Sequence, residues 1–229
     1  MKIILLILSV FLAASRTHAM VSDTILCSKG KLYIGGKASD RQVYLKEAGQ
    51  EINVTHFKPW EQIHDILLST DGTFLLIRHT ANSSHSNQLS VLDITSLRII
   101  SSIKPGVGGG LYWTTHDNIL LMRGCGSDCV CFELYDSKLT KITAKCASWF
   151  KEYIDADVII SLPTLYPDNG VFRIWSLKTG ILLKEINFTK KYGSYYCDHL
   201  NCENGMVNVQ LNVEREGQPD TTVTEAFKY

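Results

Sequence analysis

Val171 to Phe188, VFRIWSLKTGILLKEINF, is the stretch on which the reading of this chain turns. It divides into two strands, Val171 to Leu177 and Ile181 to Phe188, across a tight turn at Lys178-Thr179-Gly180. Val171, Arg173, Trp175 and Leu177 fall on one face of the first strand and Phe172, Ile174 and Ser176 on the other. Both faces carry apolar residues, so the strand is expected between two layers. Gly180 suits the left-handed conformation that a hairpin turn often needs, because it has no Cβ to clash. The return strand is rich in branched apolar side chains that favour extended backbone.

Working outward, the same plan recurs. Upstream, Asp65 to Leu68, Phe74 to Arg78, Leu89 to Ile94 and Arg98 to Ile103 form a four-strand meander with an Asp71-Gly72 turn, ended by Lys104-Pro105-Gly106. Leu111 to Thr114, Ile119 to Met122, Val130 to Tyr135 and Lys138 to Thr143 repeat it. Phe150 to Ile154, Val158 to Leu162 and the opening hairpin make a fourth unit. Before these, Thr24 to Cys27, Leu32 to Ile34, Gln42 to Leu45 and Glu51 to His56 read as four strands. After them only three are found: Tyr195 to Asp198, Met206 to Val213 and Thr221 to Tyr229. Asp93, Glu133 and Ser176, taken as equivalent, lie 40 and 43 residues apart, and Tyr44 precedes Asp93 by 49. A period of roughly 40–45 residues is that of four-stranded propeller blades. The fold class expected is therefore all-β, a small β-propeller of about five blades, with a β-sandwich as the alternative.

Val171 to Leu183, and more weakly Leu89 to Ile103, resemble the end of a WD40 or YVTN-type propeller repeat. Trp175-Ser176 stands where that family has Trp-Asp, Leu92-Asp93 keeps only the Asp, and the Gly-His dipeptide is absent. The resemblance covers about four of the five units and points to no particular member. It implies ring closure by an N-terminal strand, for which Thr24 to Cys27 is the candidate beside the three-stranded last unit.

Residues 1–19 read as a secretory signal peptide. Lys2 precedes an apolar run from Ile3 to Ala14, and Thr17-His18-Ala19 offers a cleavage site. The remaining residues, 20–229, are expected to form one domain, secreted or periplasmic, with no membrane insertion of the mature chain. Lys and Arg total 23 and Asp and Glu total 23, so no electrostatic pull toward nucleic acid is expected. Sequons begin at Asn53, Asn82 and Asn187.

Seven cysteines in an exported chain suggest disulfides. Cys125 and Cys129 flank a short loop and are within reach of each other, which leaves Cys131 for Cys146. Cys197 and Cys202 make a third candidate pair, and Cys27 is left as the odd thiol. Both clusters also contain metal-ligand types: three thiols at 125–131, and Cys197, Asp198, His199 and Cys202 further on. Their spacing is not that of a zinc knuckle, and disulfides are preferred at both.

Catalytic signatures are missing. Arg78-His79-Thr80 is similar to the Arg-His-Gly of histidine phosphatases but lacks the glycine and a following helix. Gly106 to Gly110 precedes a strand, whereas a phosphate cradle needs a helix there. No catalytic residue, metal or cofactor is expected. The functional expectation is a binding module that recognises a protein, peptide or glycan through loops carrying Trp60, Tyr112, Trp113, Tyr166, Tyr195 and Tyr196. The alternative is a small secreted hydrolase or lactonase-like enzyme with a metal site. His64, Asp65 and His116 lie at turn or strand ends where such a site would draw them.

Overall fold

A computed structural model describes residues 24–37, 40–80, 87–105, 109–127, 129–161 and 170–229. The leader at 1–19, the sequon at Asn82, Tyr166 and Gly106 to Gly108 lie outside the described residues. The chain is all-β, and its strands form five separate antiparallel sheets in chain order. The first holds β1 (Thr24–Cys27), β2 (Gly30–Lys37), β3 (Asp40–Glu47) and β4 (Gln50–Asn53). The second holds β5 (Ile63–Leu68), β6 (Phe74–Thr80), β7 (Asn87–Asp93) and β8 (Arg98–Ile103). The third holds β9 (Leu111–Trp113), β10 (Ile119–Gly126), β11 (Cys129–Tyr135) and β12 (Lys141–Ala147). The fourth holds β13 (Phe150–Tyr153), β14 (Val158–Ser161), β15 (Val171–Ser176) and β16 (Leu182–Asn187). A short helix, α1 (Phe188–Tyr192), leads to the last sheet of β17 (Tyr195–Glu203), β18 (Met206–Val213) and β19 (Thr221–Lys228). Five sheets, each a simple meander, are not the two packed layers of a sandwich.

The pleat explains why the inner strands are apolar on both faces. Leu75, Ile77 and Leu92 of the second sheet pack on the first, while Leu76, Leu89 and Val91 pack on the third. Leu120, Phe132 and Leu134 meet Ile159, Trp175 and Leu177 between the third and fourth. Phe172 and Ile174 join Val207, Val209 and Leu211 between the fourth and fifth. Successive residues thus serve different neighbours.

The two ends differ. Among the described residues no buried cluster joins the fifth sheet to the first. Leu32, Ile34, Val43 and Leu45 of the first sheet face the second, so the alternating Lys31, Tyr33, Tyr44 and Lys46 face outward. Tyr33 and Tyr44 stack there with ring centroids 5.7 Å apart. On β18 the outward positions are Asn208, Gln210 and Asn212, joined on β19 by Thr222 and Thr224. Polar outer faces are what lets a serial stack of sheets stop in water.

Two expectations are corrected. Thr24 to Cys27 pairs with β2 inside the first sheet instead of completing the last one. Glu133 is not the counterpart of Asp93 and Ser176: Asp136 is, since it caps the same turn. Asp93 Oδ1 accepts from Ser96 N at 2.8 Å, Asp136 Oδ1 from Lys138 N at 2.9 Å and Thr140 N at 2.8 Å, and Ser176 Oγ from Lys178 N at 3.1 Å. Gly180 then turns with φ +71°, and an added Cβ there would lie 2.6 Å from the Thr143 side chain.

Candidate functional site: the connection end

The turns between the first two strands of the second, third and fourth sheets gather at one end of the molecule. Asp117 Oδ1 accepts from Thr70 N at 3.0 Å, and Asn118 Nδ2 donates to the carbonyls of Leu177 and Lys178 at 2.9 Å each. His116 Nε2 lies 3.4 Å from Asp157 Oδ2, whose carboxyl burial pushes up toward the neutral form. Because strands alternate in direction, the connections between sheets and the β10–β11 turn lie at the opposite end.

That connection end carries Trp60, between β4 and β5, and Trp149, between β12 and β13. They are 50% and 57% exposed. Lys58 Nζ sits 5.4 Å from the centroid of the Trp60 ring, a cation–π contact at the surface. Tyr196 is also exposed, at the start of β17 on the polar outer face. Tyr112 is half-buried and donates to Glu152 Oε1 at 2.9 Å, and burial pushes its pKa up to about 12.

Of the other expected aromatics, Trp113 and Tyr195 do structural work. Trp113 is buried between the second and third sheets and donates from Nε1 to the Leu67 carbonyl at 3.0 Å. Tyr195 is buried against Phe188 and donates to the Gly170 carbonyl at 3.0 Å. The five sequence-named aromatics among the described residues, Trp60, Tyr112, Trp113, Tyr195 and Tyr196, are therefore not one surface. Trp149 was missed; the signal available was its place three residues after Cys146, in the short connection between β12 and β13.

The histidine of Arg78-His79-Thr80 is buried in a row across the second sheet. Its Nδ1 lies 2.8 Å from the Thr80 carbonyl, which only accepts, so Nδ1 carries the proton and Nε2 accepts from Ser90 Oγ at 2.8 Å. Ser102 Oγ continues the row 2.7 Å from Ser90 Oγ. The order of groups resembles a nucleophile and its base, but Ser90 is 1% exposed and out of reach of any substrate. Asp65 pairs with Arg78, whose Nη1 also donates to the Gly109 carbonyl at 3.1 Å, so it serves the joint between sheets two and three.

The cysteines divide. Cys125 bridges Cys129 and Cys131 bridges Cys146, with Cα atoms 5.1 and 4.0 Å apart. Cys27, Cys197 and Cys202 are thiols. The expected pair Cys197–Cys202 is thereby corrected: both lie along β17, and five residues of strand span more than about 10 Å, beyond the ~7 Å that a disulfide allows. Nor do these residues gather around a metal. Cys197 and Cys202 face the core between the last two sheets, while Asp198 meets Gln210 Nε2 at 3.3 Å on the outer face. Cys202 Sγ lies 3.1 Å from the Tyr229 hydroxyl. Burial pushes both thiols up, away from thiolate. Among the described residues, the one group of three or more candidate metal ligands is Cys125, Cys129, Cys131 and Cys146.

No protein-family description and no curated protein matches the sequence. Among solved structures, the uncharacterized protein lmo1340 from Listeria monocytogenes aligns at 13% identity and TM-score 0.47, over 90% of this chain and 66% of that one. The Cps50 (Swd1) beta-propeller domain of Myceliophteria thermophila aligns at 11% identity and TM-score 0.40, over 78% and 63%. TolB from Acinetobacter baumannii aligns at 15% identity and TM-score 0.42, over 84% and 51%. The chain spans about half to two thirds of these three proteins. At such scores the likeness is loose, and the architecture is read from the strand pairing itself. No helix among the described residues is long and apolar enough to cross a membrane.

Proposed function

We propose that this chain is an exported interaction module, a five-bladed propeller-like array whose mature form, residues 20–229, recognises a protein, peptide or glycan at its connection end. The observation that carries this reading is the pair of exposed indoles, Trp60 and Trp149, presented at one end by connections between rigid sheets. Large aromatics held in water cost solvation and are the usual anchors of recognition. Trp113 and Tyr195, by contrast, are spent on packing. Tyr196 and Tyr112 belong to the proposed surface as flanking groups, since each keeps part of its ring accessible.

The test is capture of partners from the extracellular or periplasmic fraction on immobilised mature protein, together with peptide and glycan arrays. Trp60→Ala/Trp149→Ala is expected to lose at least about tenfold in affinity for whatever the wild type retains, while Tyr33→Ala at the far face keeps it. Undiminished binding by the double variant sinks the assignment of this end.

A further inference from the structure

The four sulfurs of Cys125, Cys129, Cys131 and Cys146 all lie within 4.8 Å of one another. Two disulfides do not need such closeness to each other, and the fold imposes it. Cys131 and Cys146 are direct cross-strand partners on β11 and β12. Cys129 lies two residues before Cys131 on the same face, and Cys125 is the residue between Gly124 and Gly126 at which the β10–β11 register shifts, just before the chain turns into β11. Four sulfurs tetrahedrally bound to zinc at about 2.3 Å stand about 3.8 Å apart. From the bridged arrangement, each bonded pair needs to separate by less than about 2 Å to reach that geometry. The ligating side chains come from three neighbouring strands of one sheet, β10, β11 and β12, so little backbone movement is required.

We propose that this quartet is a redox-gated metal site. In oxidising surroundings it is closed as two disulfides; opened by a dithiol reductant, it binds one Zn²⁺ through four thiolates. The opening consumes two dithiols, each giving two electrons and two protons to one protein disulfide and leaving as a cyclic disulfide, so four thiols result. Zinc then displaces four protons and leaves a centre of net charge −2. Arg123 is the backbone partner of Cys131 across β10 and β11, but its guanidinium is held by Glu133 Oε1 at 3.0 Å, so the negative centre relies on solvent for its charge balance. Cys131 is 2% exposed, whereas Cys125 and Cys146 are exposed, so reductant and metal reach the quartet from the solvent side while its inner wall stays dry. The consequence is that the connection end, where the proposed partner surface lies, has two covalent states set by its redox surroundings.

The experiment uses the mature chain. Thiol titration of the denatured, unreduced protein should find the three thiols of Cys27, Cys197 and Cys202, and all seven after dithiothreitol. The reduced protein, freed of reductant without oxygen, is then titrated with Co²⁺. Expected are saturation at one metal per chain, the visible ligand-field band of tetrahedral thiolate cobalt with its sulfur-to-metal charge transfer, and bleaching by Zn²⁺. Cys27→Ser/Cys197→Ser/Cys202→Ser should keep the band and Cys146→Ser should lose its four-thiolate form. The oxidised protein should show none. Fully reduced wild type without the tetrahedral band overturns the proposal, as does a band that the triple variant abolishes. Circular dichroism guards against misfolding: strand signal lost on reduction and not regained with Zn²⁺ overturns it as well.

Discussion

Asp93, Asp136 and Ser176 do one thing three times: a side-chain oxygen at the end of the third strand accepts from the backbone of the next turn. Only an acceptor on a short side chain reaches those N–H groups, which is why Ser replaces Asp without loss of the turn. Trp175, one residue earlier in the fourth sheet, is buried with its ring in edge contact with Phe132 and Phe150 at 5.6 Å each. Its role is packing between the third and fourth sheets. Trp175→Ala is expected to cost about 3–5 kcal/mol, read from chemical denaturation, because three aromatic rings lose their common centre. A cost below about 1 kcal/mol means that the cavity collapses and the rings are not the joint described.

At the scale of the element, β6, β7 and β8 are tied by the row His79, Ser90 and Ser102, with Phe57 stacked on the imidazole at 4.1 Å. Burial lowers the His79 pKa below its ordinary value. The unfolded chain protonates this group near pH 6.5, so below that value the unfolded state holds more protons than the folded one. The row's contribution is present above about pH 6.5 and is lost as pH falls toward the lowered folded value, by at most about 1.4 kcal/mol per pH unit. Urea midpoints should therefore drop between about pH 7.5 and about pH 5.5, and the drop should shrink in His79→Gln. An unchanged slope in that variant shows that other histidines carry it. This row was legible in the sequence only as a polar strand end at Arg78-His79-Thr80. Whether a histidine at a strand end is solvated or buried depends on what the β4–β5 connection lays over it, and Phe57 does so here.

At the scale of the molecule, four apolar interfaces join five sheets among the described residues, and the outward faces of the first and last are polar. In such a serial array each inner sheet shares two interfaces and each end sheet one, so stability is not uniform. Hydrogen exchange is expected to be slowest in the paired strands of sheets two to four, β6, β10 and β14 among them, and faster in sheets one and five. Equal protection in all five points instead to a fifth interface that closes the ring.

The sequence by itself determined the local facts: extended strands, tight turns, five units, and an opening hairpin apolar on both sides. Period-two alternation and turn chemistry act over a few residues and are written there. It also indicated the bridges Cys125–Cys129 and Cys131–Cys146, since a hairpin brings both pairs together. Tertiary structure decided the rest. It placed Phe172 and Ile174 against one neighbour and Trp175 and Leu177 against another, buried Trp113 and Tyr195 while leaving Trp60 and Trp149 in water, and kept Cys197 and Cys202 apart along one strand. Those outcomes depend on which sheets meet across space, and the energy of burial that sets them comes from contacts between residues distant in the chain.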